Sequence, residues 1–455
     1  MIKMTLTDIA ACVHGTLLGN DGEIHGVSID TRTLQHGQLY VAIAGKNFDG
    51  HDFVEVTQSQ GAVALLVHQK VFSTLPQILV ADTHLALAQM AGAWRQRMNP
   101  KVIGVTGSNG KTTTKEMLAS ILSVNDEVLF TQGNLNNDIG VPLTLLRLSP
   151  NHRYAVIEMG ANHVGEIAYT SQFAKADVAI VTNVGAAHLE GFGTIENIAK
   201  AKGEVFDALD AADGVAILNA DDVFFDFWAR IVGNRKRVSF GIENSACVRA
   251  KNIIAQCTSG RFVTQFDLLF DDESIRIDLP FAGHHNVLNA LGAAASSLAL
   301  GISLPQIKRG LEKMLPVKGR LELQSGHLGC KIINDTYNAN TASLSVALEV
   351  LIQCEGEHWV VLGEFGELGE ASERLHTEMG ETLKAHNIKQ LFAVGEKMQH
   401  TVRAFGENGH YFTSQDELLN ALMPRLTGNE TLLIKGSRAQ RMENIAAALV
   451  NTTGI

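Results

Sequence analysis

Residues 102–114 read Val-Ile-Gly-Val-Thr-Gly-Ser-Asn-Gly-Lys-Thr-Thr-Thr: an apolar burst of strand length, a glycine turn, then a lysine followed by hydroxyls. A turn of this kind lets backbone N–H groups approach anionic oxygens closely, and a helix beginning just after it presents its positive end to them. Met117, Leu118, Ile121 and Leu122 recur at helical spacing and predict that helix. Gly107, Ser108, Asn109, Gly110, Lys111, Thr112 and Thr113 are therefore candidates for binding ATP through its phosphates. Lys111 would supply mobile charge for the β- and γ-phosphates, and the Thr112 hydroxyl suits Mg²⁺. The strict spacing Gly-x-x-x-x-Gly-Lys-Ser/Thr is not met, because Val105 occupies the first glycine position and Gly104 lies one residue earlier. The shortened loop indicates a relative of the phosphate-loop proteins, not necessarily a GTPase or a motor.

Three further residues could handle charge beside such a loop. Glu158 ends the apolar run 154–158, so its carboxylate should emerge at the carboxyl edge of a sheet, where it can ligate Mg²⁺ through oxygen. His188, in Asn183-Val-Gly-Ala-Ala-His-Leu-Glu-Gly-Phe-Gly193, follows another apolar run and is predicted on the same edge. A lone histidine is more often a packing or surface residue than a metal ligand. Lys202, in Ala199-Lys-Ala-Lys-Gly-Glu-Val-Phe206, reads by default as a solvated helix lysine.

These residues need a scaffold. From Lys101 onward the apolar bursts 102–106, 154–158, 178–183 and 215–219 alternate with helical stretches, which implies βαβ crossovers, a largely parallel sheet and ligands at the carboxyl ends of its strands. Residues 238–280 differ: Phe262, Thr264, Phe266 and Leu268 stand at every second position, predicting an antiparallel insert. A second strand-and-helix alternation follows Pro316, with bursts at 331–334, 359–363, 391–395 and 431–435. Upstream, the short runs 39–44, 64–67 and 78–81 suggest a small mixed α/β unit, joined to the rest by a helix at 83–98. The expected fold class is thus α/β with three domains. Residues 1–85 form a small mixed unit, 86–314 a phosphate-loop unit with a mostly parallel sheet and an antiparallel insert, and 315–455 a Rossmann-like doubly wound unit.

Bulk properties narrow the partners. Hydrophobic residues make up 45% of the 455 and charged residues 19%, which allows substantial cores and argues against disorder. A formal net charge of −11 disfavours general affinity for nucleic acid or anionic membrane. The five cysteines are scattered and never spaced Cys-x-x-Cys, which speaks against a disulfide framework or zinc site and for a reducing cytoplasm. The start of the chain does not read as a secretory signal, and the uncharged run 287–304 suits a buried helix better than a bilayer span.

Several motifs together resemble the Mur ligase family. They are Asp30-Thr-Arg32, Phe48-Asp-Gly-His-Asp-Phe53, Thr106-Gly-Ser-Asn-Gly-Lys-Thr-Thr113, Gly133-Asn-Leu-Asn-Asn-Asp-Ile-Gly-Val-Pro142, Ala187-His-Leu-Glu-Gly-Phe-Gly193, His285-Asn-Val-Leu-Asn289, Asn334-Asp-Thr-Tyr-Asn-Ala-Asn340 and Lys435-Gly-Ser-Arg438. The early pieces and the Asn-rich segment are similar to the members that add a terminal dipeptide. Gly363-Glu-Phe-Gly-Glu-Leu-Gly369 departs from the usual Gly-Asp-Met-x-Glu-Leu-Gly, leaving Glu364 without an assigned role.

The resemblance implies an ATP-dependent amide ligase that works through an acyl phosphate, with UDP-N-acetylmuramoyl-tripeptide and D-alanyl-D-alanine as substrates and Mg²⁺ as metal; a monomer is expected, though no residue pattern reports it. It implies Thr112, Glu158 and His188 as metal ligands, Lys111, His188 and Lys202 as catalytic groups, and a Lys202 that can be carbamylated. Asn289, Arg320 and Asp335 would contact ATP. Ser28, Asp30, Thr31, Arg32, Asn134, Asn136, Asn137, Tyr337, Asn338, Lys435, Ser437 and Arg438 would contact the other substrates. A different Mur-type or folylpolyglutamate-type ligase, and a phosphate-loop ATPase switch, stand as alternatives.

Overall fold

The protein is described here by a computed structural model covering residues 1–45, 48–185, 189–258 and 261–450. Its framework is three sheets of five, nine and six strands, with a small two-stranded pair near the start.

The nine-stranded sheet carries the phosphate loop. Its order is Glu273–Leu279, Arg261–Phe270, Val248–Thr258, Lys236–Gly241, Val215–Asn219, Val178–Val181, Lys101–Thr106, His152–Glu158, Glu127–Phe130. Alternate side chains of the central strands enter opposite cores, as the two-residue period of a strand requires. Val102, Ala155, Ile157, Ala179 and Leu218 face one core, while Ile103, Val105, Val156, Ile180 and Ile217 face the other. Helices cover both faces, which is why these strands read as unbroken apolar runs rather than as alternation. The uncharged run 287–304 lies largely in the helix His284–Ala299, where Ala290, Ala293, Ala294 and Ala295 are buried. Among the described residues, no helix is long and apolar enough to cross a membrane.

The antiparallel insert expected at 238–280 forms from Val248 to Leu279, and its start is parallel. Lys236–Gly241 pairs in parallel with Val215–Asn219, and Val248–Thr258 joins it in parallel before the two hairpin strands turn antiparallel. The segment extends the main sheet instead of standing apart from it.

In the six-stranded sheet, Lys331–Asp335, Glu430–Lys435, Glu357–Gly363, Gln390–Val394 and Gly409–Phe412 run parallel, with Glu322–Ser325 antiparallel at one edge. The five-stranded sheet spans Thr16–Leu18 to Gln77–Leu79 and ends at the short edge strand Val27–Ser28. The helix expected at 83–98 is Thr83–Met98, capped by the Asp82 carboxylate accepting from the N–H groups of His84 and Leu85.

Candidate active site

The phosphate loop is held open by close packing from behind. Gly107 and Gly110 have φ of 148° and 79°, in the region that favours glycine. A Cβ on Gly107 would lie 1.9 Å from Thr182 Oγ1, and one on Gly110 would lie 2.2 Å from Asn289 Oδ1. The end of the neighbouring strand Val178–Val181 supplies the buttress: the Asn109 N–H donates to Asn183 Oδ1 at 3.0 Å, and the Thr182 hydroxyl donates to Asn109 O at 2.6 Å. Lys111 opens the helix Lys111–Leu122 and folds its ammonium back onto Gly107 O at 2.6 Å and Ser108 O at 3.2 Å. Burial holds its pKa below the usual lysine value.

Glu158 stands at the end of its strand, 2% exposed, as its place in the sequence predicts. The Thr112 hydroxyl donates to Glu158 Oε2 at 3.1 Å, and Asn136 Nδ2 donates to Oε1 at 2.8 Å. A hydroxyl and a carboxylate thus meet at the mouth of the phosphate loop. No cluster of three or more His, Cys, Asp or Glu suited to a metal occurs among the described residues. That donor set suits Mg²⁺, which ordinarily takes one or two carboxylates together with substrate phosphates and waters. His188 lies outside the described residues.

Lys202 is not the solvated lysine that its sequence position suggests. It is 2% exposed, its ammonium lies 5.5 Å from the centre of the Phe192 ring, and burial, with Lys111 nearby, brings its pKa down to about 7. The helix Ile195–Gly203 turns this residue inward because Ile198, Ala199 and Ala201 bury the same surface.

The six-stranded unit reaches the loop through two side chains. Arg320 Nη2 donates to Thr112 Oγ1 at 3.0 Å, and Asn340 Nδ2 donates to Asn109 Oδ1 at 2.9 Å. The Arg320 guanidinium stacks 4.2 Å from the Tyr337 ring centroid, and its Nε is a buried donor with no partner among the described residues. A donor so placed is suited to an anion. Behind it, buried Lys435 donates to Asp335 Oδ2 at 2.5 Å and to Asn338 O at 3.0 Å. Asn338 Oδ1 accepts from the Arg438 N–H at 3.3 Å, and the Ser437 hydroxyl donates to Glu364 O at 2.6 Å.

The other predicted residues form separate groups. Asp30 pairs with Arg32, which draws the Asp30 carboxyl down to about 2, while the Ser28 hydroxyl donates to Asp30 O at 2.9 Å. With Thr31 they sit at the edge strand of the five-stranded sheet. Asn134 is exposed, whereas Asn137 Oδ1 already accepts from the Gly140 N–H at 2.8 Å, just where the helix Gly140–Leu145 begins. Asn289 packs behind Gly110 and accepts from the Thr114 hydroxyl at 3.4 Å. Sequence reasoning missed Thr182 and Asn183, Lys115 and Asn340. Asn340 lay within a motif already singled out, and Asn183 opened another.

This geometry has counterparts. Three descriptions match: "Mur ligase family, catalytic domain" over residues 23–122, "Mur ligase middle domain" over 105–297 and "Mur ligase, glutamate ligase domain" over 319–438. The chain is 42% identical to the UDP-N-acetylmuramoyl-tripeptide--D-alanyl-D-alanine ligase of Escherichia coli (strain K12), with 99% of each chain covered. The chain belongs to the Mur ligase family. The Mur ligase of the same name from Bacillus subtilis (strain 168) is 36% identical, again over 99% of each chain. Among solved Mur ligases, MurF from Acinetobacter baumannii superposes with a TM-score of 0.92 at 37% identity, covering 98% of this chain and 99% of that one. MurF from Thermotoga maritima, solved in complex with ADP, gives 0.82 at 28% identity, covering 93% and 96%.

Proposed function

We propose that this chain joins D-alanyl-D-alanine to the terminal carboxylate of UDP-N-acetylmuramoyl-tripeptide at the expense of ATP, through an acyl phosphate, giving the pentapeptide precursor of peptidoglycan. Full-length identity of 42% to an E. coli ligase named for these two substrates carries the reading. The phosphate loop, Glu158 and Arg320 supply the chemistry it needs.

A carboxylate does not accept an amine unaided, because oxide would have to leave; once phosphorylated, phosphate leaves instead. The first task of the site is to bring an anionic carboxylate up to anionic ATP. Loop N–H groups and the Lys111 ammonium oppose that repulsion, in a setting dry enough to strengthen them. Mg²⁺, when bound, would neutralise charge on the β- and γ-phosphates. Thr112 and Glu158 are the described residues that would hold it, with His188 expected as the third. Arg320 faces the loop from the other sheet and would clamp a phosphate oxygen through its Nε, which has no partner among the described residues. Lys202 has a pKa of about 7, so much of it is uncharged near neutrality. An uncharged amine is what carbamylation, which the matching lysine of the family can undergo, requires.

On the same reading, Asn289 and Asp335 serve ATP, and Ser28, Asp30, Thr31 and Arg32 hold the UDP end of the acceptor. Asn134, Asn136, Asn137, Tyr337, Asn338, Lys435, Ser437 and Arg438 serve the peptide and dipeptide. The units 1–85, 86–314 and 315–455 would divide these tasks, and the enzyme would act as a cytoplasmic monomer; its five cysteines are free thiols. The test is phosphate release from Mg-ATP with each cosubstrate omitted in turn, with mass spectrometry of the product. Phosphate that appears only with both, together with the pentapeptide, supports the assignment. Turnover with another amino acid in place of the dipeptide would move it to a sister ligase, and release without any amine would make it an ATPase switch.

A further inference from the structure

Lys115 is a buried charge that the chemistry above leaves without a task. It stands three residues beyond Thr112 on the phosphate-loop helix, and residues so spaced share a helix face, so both approach the strand that ends in Glu158. The side chain is 1% exposed. Its ammonium donates to Thr131 O at 2.7 Å and lies 3.0 Å from Glu116 Oε1 and 3.9 Å from Glu158 Oε2. Taking an ammonium out of water is unfavourable unless its partners compensate. A methionine of similar length would fill the slot without that cost. Thr131 serves both residues: its carbonyl holds Lys115, and its hydroxyl oxygen accepts from the Glu158 N–H at 3.0 Å. Glu158 is thus gripped from several sides, by Asn136 on Oε1, by Thr112 and Lys115 on Oε2, and by Thr131 through its backbone.

We propose that Lys115 is a positioning residue for the metal-binding carboxylate: anchored by Thr131 and Glu116, its ammonium fixes Glu158 in the orientation that faces the phosphate loop. The proposal rests on the reading of Glu158 as a metal ligand. Direction separates positioning from simple charge. A nearby cation repels a divalent ion, so charge alone predicts tighter metal binding when Lys115 is neutralised. Loss of positioning predicts weaker binding.

The experiment uses the full chain with a non-hydrolysable ATP analogue and Mn²⁺ in place of Mg²⁺, its affinity read by electron paramagnetic resonance. Parent, Lys115→Met, Lys115→Gln and Glu158→Gln are compared, each checked by thermal unfolding. Both Lys115 variants should raise the Mn²⁺ Kd roughly 10- to 100-fold, the usual effect of losing an outer partner of a metal ligand. Affinity for the metal-free analogue should stay near that of the parent. In steady state the apparent KM for Mg²⁺ should rise while the KM for the dipeptide stays put. Lys115→Gln retains a donor for Thr131 O and serves if Lys115→Met does not fold. A folded Lys115 variant whose Mn²⁺ Kd is within twofold of the parent, or tighter, overturns the proposal. If Glu158→Gln loosens Mn²⁺ and the Lys115 variants do not, positioning alone fails; if Glu158→Gln changes nothing, the metal-ligand reading fails and takes the proposal with it.

Discussion

An ammonium inside a protein shifts its titration to escape its charge, and Lys202 has a pKa of about 7 for that reason. The unfolded chain keeps an ordinary lysine near 10.5. Between those two values the unfolded state binds the extra proton, so stability rises with pH from about 7 to about 10.5 and is flat below. Lys202→Met should therefore be more stable than the parent at pH 7, by on the order of 4 kcal/mol on the conversion of pKa shift to free energy. That advantage should shrink toward zero by pH 10 in denaturant titrations, while ligase activity falls. Lys111→Ala should leave the fold in place yet lower kcat/KM by about 10²- to 10³-fold, the scale of one lost transition-state donor. At this scale the sequence was partly legible. Glu158 could be placed because a strand's last residue emerges at the sheet edge. The burial of Lys115 and Lys202 could not, because a helix lysine shows its face only once its neighbours' packing is known.

The phosphate-loop helix is squeezed from both sides, and the tolerances differ. Beyond the loop glycines, Gly310 in the helix Leu304–Glu312 lies so close to Ile121 that an added Cβ would meet its Cα at 2.3 Å. Gly310→Ala should cost about 1–3 kcal/mol in unfolding free energy through overpacking. Its nucleotide affinity, read by calorimetry, should stay near that of the parent. Gly110→Ala should instead abolish nucleotide binding in the same assay, because the strain falls on the loop itself. The elements that carry the site were readable as apolar bursts between helices, since both faces of the sheet are covered. Glu127–Phe130 and Glu322–Ser325 were not, being short edge strands whose side chains, Leu129 apart, are exposed or half-buried. Of the antiparallel insert expected at 238–280, the three strands from Val248 to Leu279 pair as expected, whereas Lys236–Gly241 pairs in parallel, because parallel pairing depends on the neighbouring strand and not on a strand's own alternation.

Across the whole molecule, Arg320 and Asn340 tie the six-stranded unit to the phosphate loop, and no sequence pattern announces a contact spanning 231 residues. Asn340 does two jobs at once. Its Oδ1 accepts from the Ser343 N–H at 2.8 Å in a capping box that starts the helix Thr341–Leu351, while its Nδ2 reaches Asn109. Serine caps helices about as well as asparagine but is too short to span the gap. Asn340→Ser should thus keep the thermal midpoint close to that of the parent and lose only the bridge. A neutral hydrogen bond is worth about 0.5–1.5 kcal/mol net, so kcat/KM should fall by roughly 2- to 13-fold. An acyl phosphate hydrolyses where water can reach it, so a loosened closure should also raise phosphate release over pentapeptide formed. Measuring phosphate and pentapeptide in the same reaction checks this. A ratio that stays at one while kcat/KM falls would mean that Asn340 aids binding of ATP without helping to exclude water from the intermediate.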